Sequence, residues 1–271
     1  MVLAGLSTAS AQEDDKMIFN HLGVGLALGT NGITIDASTT ISPYVGVRGG
    51  VNIFPKITIG THLNAGSISM STRSAFEQYK SVAGITAEIP NRIDVEGTTA
   101  LTTGHLLFDV YPFPQSSSFH LTAGFYFGAS KVAKIQNKYD EQLLAVSQWN
   151  NFLNSGSEAA QLALQNGAQT VGYNLGGHVI VPDANGHVDA SIRVAGFRPY
   201  LGLGFGRSVP RKRLGFQFDA GVQFWGKPDV YVQENKLDET EAEGDGGKAL
   251  KTISKLKVWP VLNFRLVYRI F

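Results

Sequence analysis

The feature that most limits what this chain can fold into is an alternation of period two that recurs in separate segments. From Leu214 to Trp225, Leu214, Phe216, Phe218, Ala220, Val222 and Phe224 fall on one face, while Gly215, Gln217, Asp219, Gly221, Gln223 and Trp225 fall on the other. From Phe119 to Gly128, Phe119, Leu121, Ala123, Phe125 and Phe127 oppose His120, Thr122, Gly124, Tyr126 and Gly128. The last residues repeat the pattern, with Pro260, Leu262, Phe264, Leu266, Tyr268 and Ile270 against Val261, Asn263, Arg265, Val267 and Arg269. Successive side chains of a strand point to opposite faces. Each segment therefore has one greasy, aromatic face and one polar or glycine-rich face.

Further strands are predicted in order along the chain. Leu22, Val24, Leu26 and Leu28 share a face; Thr30-Asn31-Gly32 then turns the chain back, and Asn-Gly favours a type I′ hairpin, which needs positive φ at both central residues. A second strand runs from Ile33 to Thr39 with Asp36 on its polar face, and Ser42-Pro43 ends it. In a third, Val45, Val47, Val51 and Ile53 oppose Gly46, Arg48, Gly50 and Asn52. A fourth from about Thr98 to Tyr111 sets Leu106, Phe108 and Val110 against His105, Leu107, Asp109 and Tyr111. Near Arg198, Leu201, Leu203 and Phe205 alternate with glycines.

Between these strands lie long excursions, expected at 66–97, 131–190 and 227–251. The first reads as polar. The second contains two helices, Asp140 to Leu153 and Ser157 to Gln165, and then a hairpin of Val179-Ile180-Val181 with His187-Val188-Asp189. The short connections all fall at one end of the strands and the long ones at the other, where the first hairpin is the only short one.

Composition fits this pattern. There are 31 Gly and no Cys, aromatics make up 10% and charged residues 17%, and mean hydropathy is near zero, as expected when an apolar face and a polar face average out. The lack of Cys excludes a disulfide scaffold and thiolate metal sites. A formal charge of +1 gives no global field for nucleic acid. No run of about 18 apolar residues occurs, so transmembrane helices are not expected. Residues 1–11 read as the remnant of a signal peptide ending at Ala9-Ser10-Ala11, leaving 12–271 as one domain.

A sheet that is apolar outward and polar inward must close if it sits in lipid, because open edges leave backbone groups unpaired there. The fold expected is all-β, an antiparallel up-and-down transmembrane β-barrel. It has about eight strands, or ten to twelve if the 131–190 insertion adds some, with a small helical and hairpin insertion in an extracellular loop.

The stretches Asp109-Val-Tyr-Pro-Phe113, Pro199-Tyr-Leu-Gly-Leu-Gly-Phe205, Leu214 to Gly221 and Lys257-Val-Trp-Pro260 resemble a family of small Gram-negative outer-membrane β-barrel proteins with eight-stranded architecture. The final strand is similar to the closing strand of such proteins, which commonly carries Tyr-x-Phe; Tyr268-Arg269-Ile270 supplies that spacing, with Phe271 one residue beyond. The resemblance implies location in the outer membrane of a Gram-negative bacterium. It also implies contact with outer-membrane lipid and lipopolysaccharide, and recognition of the C-terminal strand by the barrel-assembly machinery. A monomer is expected, with no nucleic-acid partner.

Inward-facing charges are the candidate site. Asp36, Asp109 and Asp219 stand against Arg48, Arg198, Arg265 and Arg269. An eight-stranded barrel is only wide enough for side chains to fill it, so these charges are expected to pair in a lumenal ion-pair network. No cofactor and no metal are expected. His105 and His120, inward on adjacent strands, are read as a hydrogen-bonded pair. The acidic run Asp238 to Asp245 is a candidate for divalent cations, and the basic Arg207 to Arg213 reads as a periplasmic turn.

Function then divides three ways. The leading reading is a non-enzymatic barrel with a filled lumen and surface loops for structural or binding roles. A porin-like channel for small solutes or hydrophobic compounds is the alternative. A lipid-modifying enzyme needs a Ser nucleophile oriented beside a His, and His62-Leu-Asn-Ala-Gly-Ser67 lacks the Ser at the place required. A soluble periplasmic barrel is the rival at the level of fold.

Overall fold

The computed structural model describes residues 21–64, 68–99, 101–175, 178–237 and 255–271; the expected signal remnant and the acidic run lie outside them. Eight strands form a closed antiparallel barrel. They are β1 (Leu22–Gly29), β2 (Gly32–Ser42), β3 (Val45–Ile53), β6 (Thr102–Val110), β7 (Phe119–Gly128), β12 (Phe197–Gly206), β13 (Leu214–Phe224) and β16 (Val258–Arg269). Closure is made by β1 and β16, with Gly23 opposite Arg269 and Gly29 opposite Asn263. The barrel strands are 8 to 12 residues long, the length that crosses a bilayer when tilted.

The outward face is apolar throughout. Leu26, Leu28, Leu201, Phe216 and Phe264 are all more than half exposed, which in water would be a large unpaired hydrophobic patch. Exposed aromatics gather near both rims, with Tyr44, Phe113, Phe205 and Tyr268 toward the short turns and Phe127, Phe197 and Phe224 toward the long excursions. Such girdles mark the two interfaces of a transmembrane barrel.

The excursions do more than loop. Past short breaks, five barrel strands continue into a second, open sheet: β3 into β4 (Thr58–Asn64), β5 (Arg92–Thr99) into β6, β7 into β8 (Lys131–Asn137), β11 (Asp189–Arg193) into β12, and β13 into β14 (Asp229–Val232). With β15 (Asn235–Lys236) at its edge, the sheet runs β15-β14-β11-β8-β5-β4 and preserves the order of the wall below. The fourth strand expected from Thr98 is thus two strands, and the extra strands belong to this second sheet or to a separate two-stranded one, and not to the barrel.

The helices expected at 140–153 and 157–165 are present as a 3-10 turn (Asp140–Leu143) followed by α2 (Leu144–Asn154), and as α3 (Glu158–Gln165). The first excursion holds a helix that the polar reading of 66–97 did not include, α1 (Met70–Tyr79), capped where Ser69 Oγ accepts the Thr72 N–H at 3.1 Å. Its signal was Thr72, Ala75, Phe76 and Tyr79, spaced as one helical face. These helices share a core with the second sheet in which Phe76, Leu143, Val146, Trp149 and Leu153 pack on Ile93 and Val95. Phe76 and Trp149 meet edge to face at 5.4 Å.

Two turns differ from expectation. The hairpin expected around Pro182–Gly186 is not a paired ladder; β10 (His178–Ile180) pairs instead with β9 (Tyr173–Leu175), and Asp189 opens β11. In the first hairpin only Gly32 takes positive φ, at 87°. The two-residue loop is Thr30-Asn31, because the Thr30 N–H donates to Leu262 O at 2.9 Å and holds that residue in register with β16. Positive φ at both central residues occurs at Gln233 and Glu234, between β14 and β15.

Because Trp149 is fully buried in the helical core and remote from the barrel wall, Trp149→Ala should cost the cap roughly 3–5 kcal/mol. Limited proteolysis should then cut within 131–190 at much lower protease concentration, while the barrel keeps its heat-dependent shift in electrophoretic mobility.

Candidate functional site

The lumen is filled in layers, each set by strand register. At the end of the short turns, the middle of the basic turn at 207–213 folds inward at Ser208 to Pro210, while Arg211, Lys212 and Arg213 stay on the surface. Ser208 and Val209 are buried. The Ser208 N–H donates to Tyr111 Oη at 2.8 Å, and its carbonyl accepts from Ser38 Oγ at 2.6 Å and Arg265 Nη1 at 3.0 Å. Room for this plug comes from Gly46, where a Cβ would stand 2.0 Å from Ser208 Oγ, and Gly215, where one would stand 2.5 Å from Pro210 Cβ. Arg207 and Arg211 reach sideways to the Pro114 carbonyl, tying this turn to the 111–118 connection.

The charged layer lies above. Arg265 Nε donates to both Asp36 oxygens, at 3.0 and 2.8 Å, and its Nη1 donates to Gln217 Oε1 at 2.9 Å. Arg48 sits between two carboxylates: Nε is 2.8 Å from Asp109 Oδ2, and Nη1 is 2.9 Å from Asp219 Oδ2. Nη2 bonds the second oxygen of each, at 2.8 and 3.0 Å. His120 Nε2 lies 2.9 Å from Asp219 Oδ1, and Thr122 Oγ1 donates to Asp109 Oδ1 at 2.8 Å. Every charged member is at most 5% exposed. Charges so buried must be paired and hydrogen-bonded, since desolvation otherwise exceeds the attraction.

Two of the expected members stand apart. Arg198, near the upper rim of β12, donates from Nε to the Ala195 carbonyl at 2.7 Å and from Nη2 to Ala129 O; among the described residues it meets no carboxylate. Arg269 bonds Arg211 O at 3.0 Å at the opposite rim. Both lie at strand ends, beyond reach of the midlevel aspartates. The expected His105–His120 pair is also absent. Register sets His105 opposite Tyr126, six residues along β7 from His120, or about 20 Å at strand rise. His105 Nδ1 instead faces Asn52 Nδ2 at 3.2 Å.

Nearer the mouth an apolar cluster lies beside a buried polar set of Thr34, Asn52, Thr103, His105 and Gln223. Leu107, Tyr126, Tyr200 and Val261 pack together, with Tyr126 and Tyr200 edge to face at 5.5 Å. Above them Trp225 and Trp259 stack at 4.7 Å and 7°.

Asp109, His120 and Asp219 bring ligand-type atoms within 4.8 Å of one another. The Arg48 guanidinium already sits against both carboxylates and supplies the positive charge a metal would bring, so these residues do not fit a metal centre. As acid–base chemistry, His120 with Asp219 makes an oriented dyad. The hydroxyl nearest the cluster, that of Thr122, is committed to Asp109.

A scan against protein-family models gives no match, and a search of curated proteins gives none. Among solved structures, the chain is similar to Acinetobacter baumannii CarO, with 15% identity over 94% of this chain and 99% of that one and a TM-score of 0.46. It is likewise similar to CarO2 of that organism, at 14% identity over 92% and 98% with a TM-score of 0.47. A major outer membrane protein from Thermus thermophilus aligns at 12% identity over 92% and 98%, with a TM-score of 0.37. The barrel assignment stands on the strand register and the apolar outer face.

Breaking a buried ion pair leaves uncompensated charge and costs about 3–5 kcal/mol. Arg48→Met should therefore lower the urea midpoint for unfolding from vesicles substantially, and adding Asp109→Asn with Asp219→Asn should restore most of the loss. Gly46→Leu should expel the Ser208 segment, making the bond after Arg207 newly sensitive to trypsin.

Proposed function

We propose that the protein is a non-enzymatic barrel of the Gram-negative outer membrane whose lumen is closed to solutes and whose surface-exposed cap carries its binding role. The observation that supports this most directly is the stacking of three closures along one axis: the inward Ser208 turn, the Arg48 cluster and the Tyr126–Tyr200 layer. A porin-like channel would require all three to move, and the middle one is held by charge in a low-dielectric interior where separation is costly. Lipid and lipopolysaccharide would surround the apolar belt, and β16 would be the strand presented to the barrel-assembly machinery. Since closure leaves no strand edge within the belt, the barrel would act as a monomer.

The purified folded protein, reconstituted into planar bilayers, should give no current steps above the bare membrane. Stable unitary conductance would overturn the closed reading in favour of the channel. Fractionation of cells should recover the protein only from the outer membrane in detergent; recovery of folded protein in the detergent-free soluble fraction would overturn the location.

A further inference from the structure

Where the barrel mouth meets the second sheet there is a half-open apolar cavity of about 190 Å³. Its walls include Phe54, Leu101, Ile192 and Val194, and the stacked Trp225 and Trp259 form one side. Two polar side chains also border it, and both are already engaged. Thr30 Oγ1 donates to Pro260 O at 2.9 Å and accepts the Leu262 N–H at 3.1 Å. Thr99 Oγ1 accepts the Ile57 N–H at 3.1 Å and points at the Pro55 and Ile57 carbonyls. The Trp225 indole N–H donates to Gln223 Oε1 at 3.2 Å, and the Leu101 carbonyl accepts the Phe54 N–H at 2.9 Å.

A site whose walls present almost no polar atom offers nothing to offset desolvation of a charged or strongly hydrogen-bonding guest. It favours a guest that brings only apolar surface. Size narrows the class further, because an apolar protein cavity of about 150 Å³ accepts benzene, and the present one is slightly larger. A phospholipid acyl chain would also need a place for its headgroup, which these walls do not supply. The layer beneath, Leu107, Tyr126, Tyr200 and Val261, is packed, so the site is a terminus and not the start of a conduit.

We infer that this cavity is a binding site for a small uncharged aromatic molecule of about one ring, held against the Trp225–Trp259 stack. The inference rests on the closed-barrel reading and names a ligand class for its cap, and it is read by a signal independent of conductance.

The test uses the full chain, labelled with fluorotryptophan, folded in lipid nanodiscs and titrated with toluene. The chain has 3 Trp, so fluorine NMR resolves each, with assignment by single Trp→Phe variants. The Trp225 and Trp259 resonances should shift saturably, while that of Trp149, buried in the helical core, should not. Benzoate, of similar size but charged, should shift neither. Ala133→Phe, which fills the cavity from β8, should weaken the toluene response at least about tenfold, a loss of roughly 1.4 kcal/mol. Val194→Phe provides a second filling variant should the first fail to give a heat-modifiable folded band. Shifts that rise linearly with toluene, that persist equally in both filling variants, or that benzoate reproduces would overturn the site. Displacement of toluene by phospholipid acyl chains, seen as loss of response when nanodisc lipid is raised, would overturn the assigned ligand class.

Discussion

The structure depends on one requirement: every backbone N–H and C=O at membrane depth must find a partner within the protein, since hydrocarbon supplies none. The ladder between β1 and β16 meets it by joining the first barrel strand to the last. Much else is a consequence of that closure. A ring of eight antiparallel strands fixes a narrow interior, and antiparallel register then decides which inward side chains share a level. Arg48 meets Asp109 because β3 pairs β6, but it meets Asp219 only by reaching across the lumen from β3 to β13.

That distinction explains what could be read from the sequence. The barrel strands and their facing were legible at Leu214–Phe224 and Phe119–Gly128 because lipid on one side and a packed lumen on the other enforce alternation at every position. The inward placement of Asp36, Asp109, Asp219, Arg48 and Arg265 followed from it. Partner choice did not, because it depends on register and on distance across the barrel, neither of which is carried by local pattern. His105 and His120 look adjacent by strand order and are separated by register; Arg198 looks like a midlevel cation and serves backbone carbonyls at the rim.

The second sheet was hidden for a different reason. Its strands are flanked by water, helices and one another, so no single solvent imposes a long alternation. Over Arg92–Thr99, Ile93 and Val95 face the helical core while Asp94 and Glu96 face away, a pattern too short to separate from a polar loop. The Ser208 plug was equally obscure: a basic turn reads as surface, and its inward path is visible only once Gly46 and Gly215 are seen to stand opposite it.

The unequal height of the wall carries a consequence of its own. Beyond the membrane the sheet rises above β3, β6, β7, β12 and β13, and among the described residues nothing continues it above β2, β1 and β16. Ile93, Val95 and Thr99 lie on the same side of β5, so the helices and the apolar hollow share one face of this rising screen. The molecule therefore has a front and a back at its outer surface. The helical core and the tryptophan-lined hollow are neighbours along that face, both built on β5 and β8. The asymmetry gives a radially symmetric stave architecture a compass bearing at its outer end.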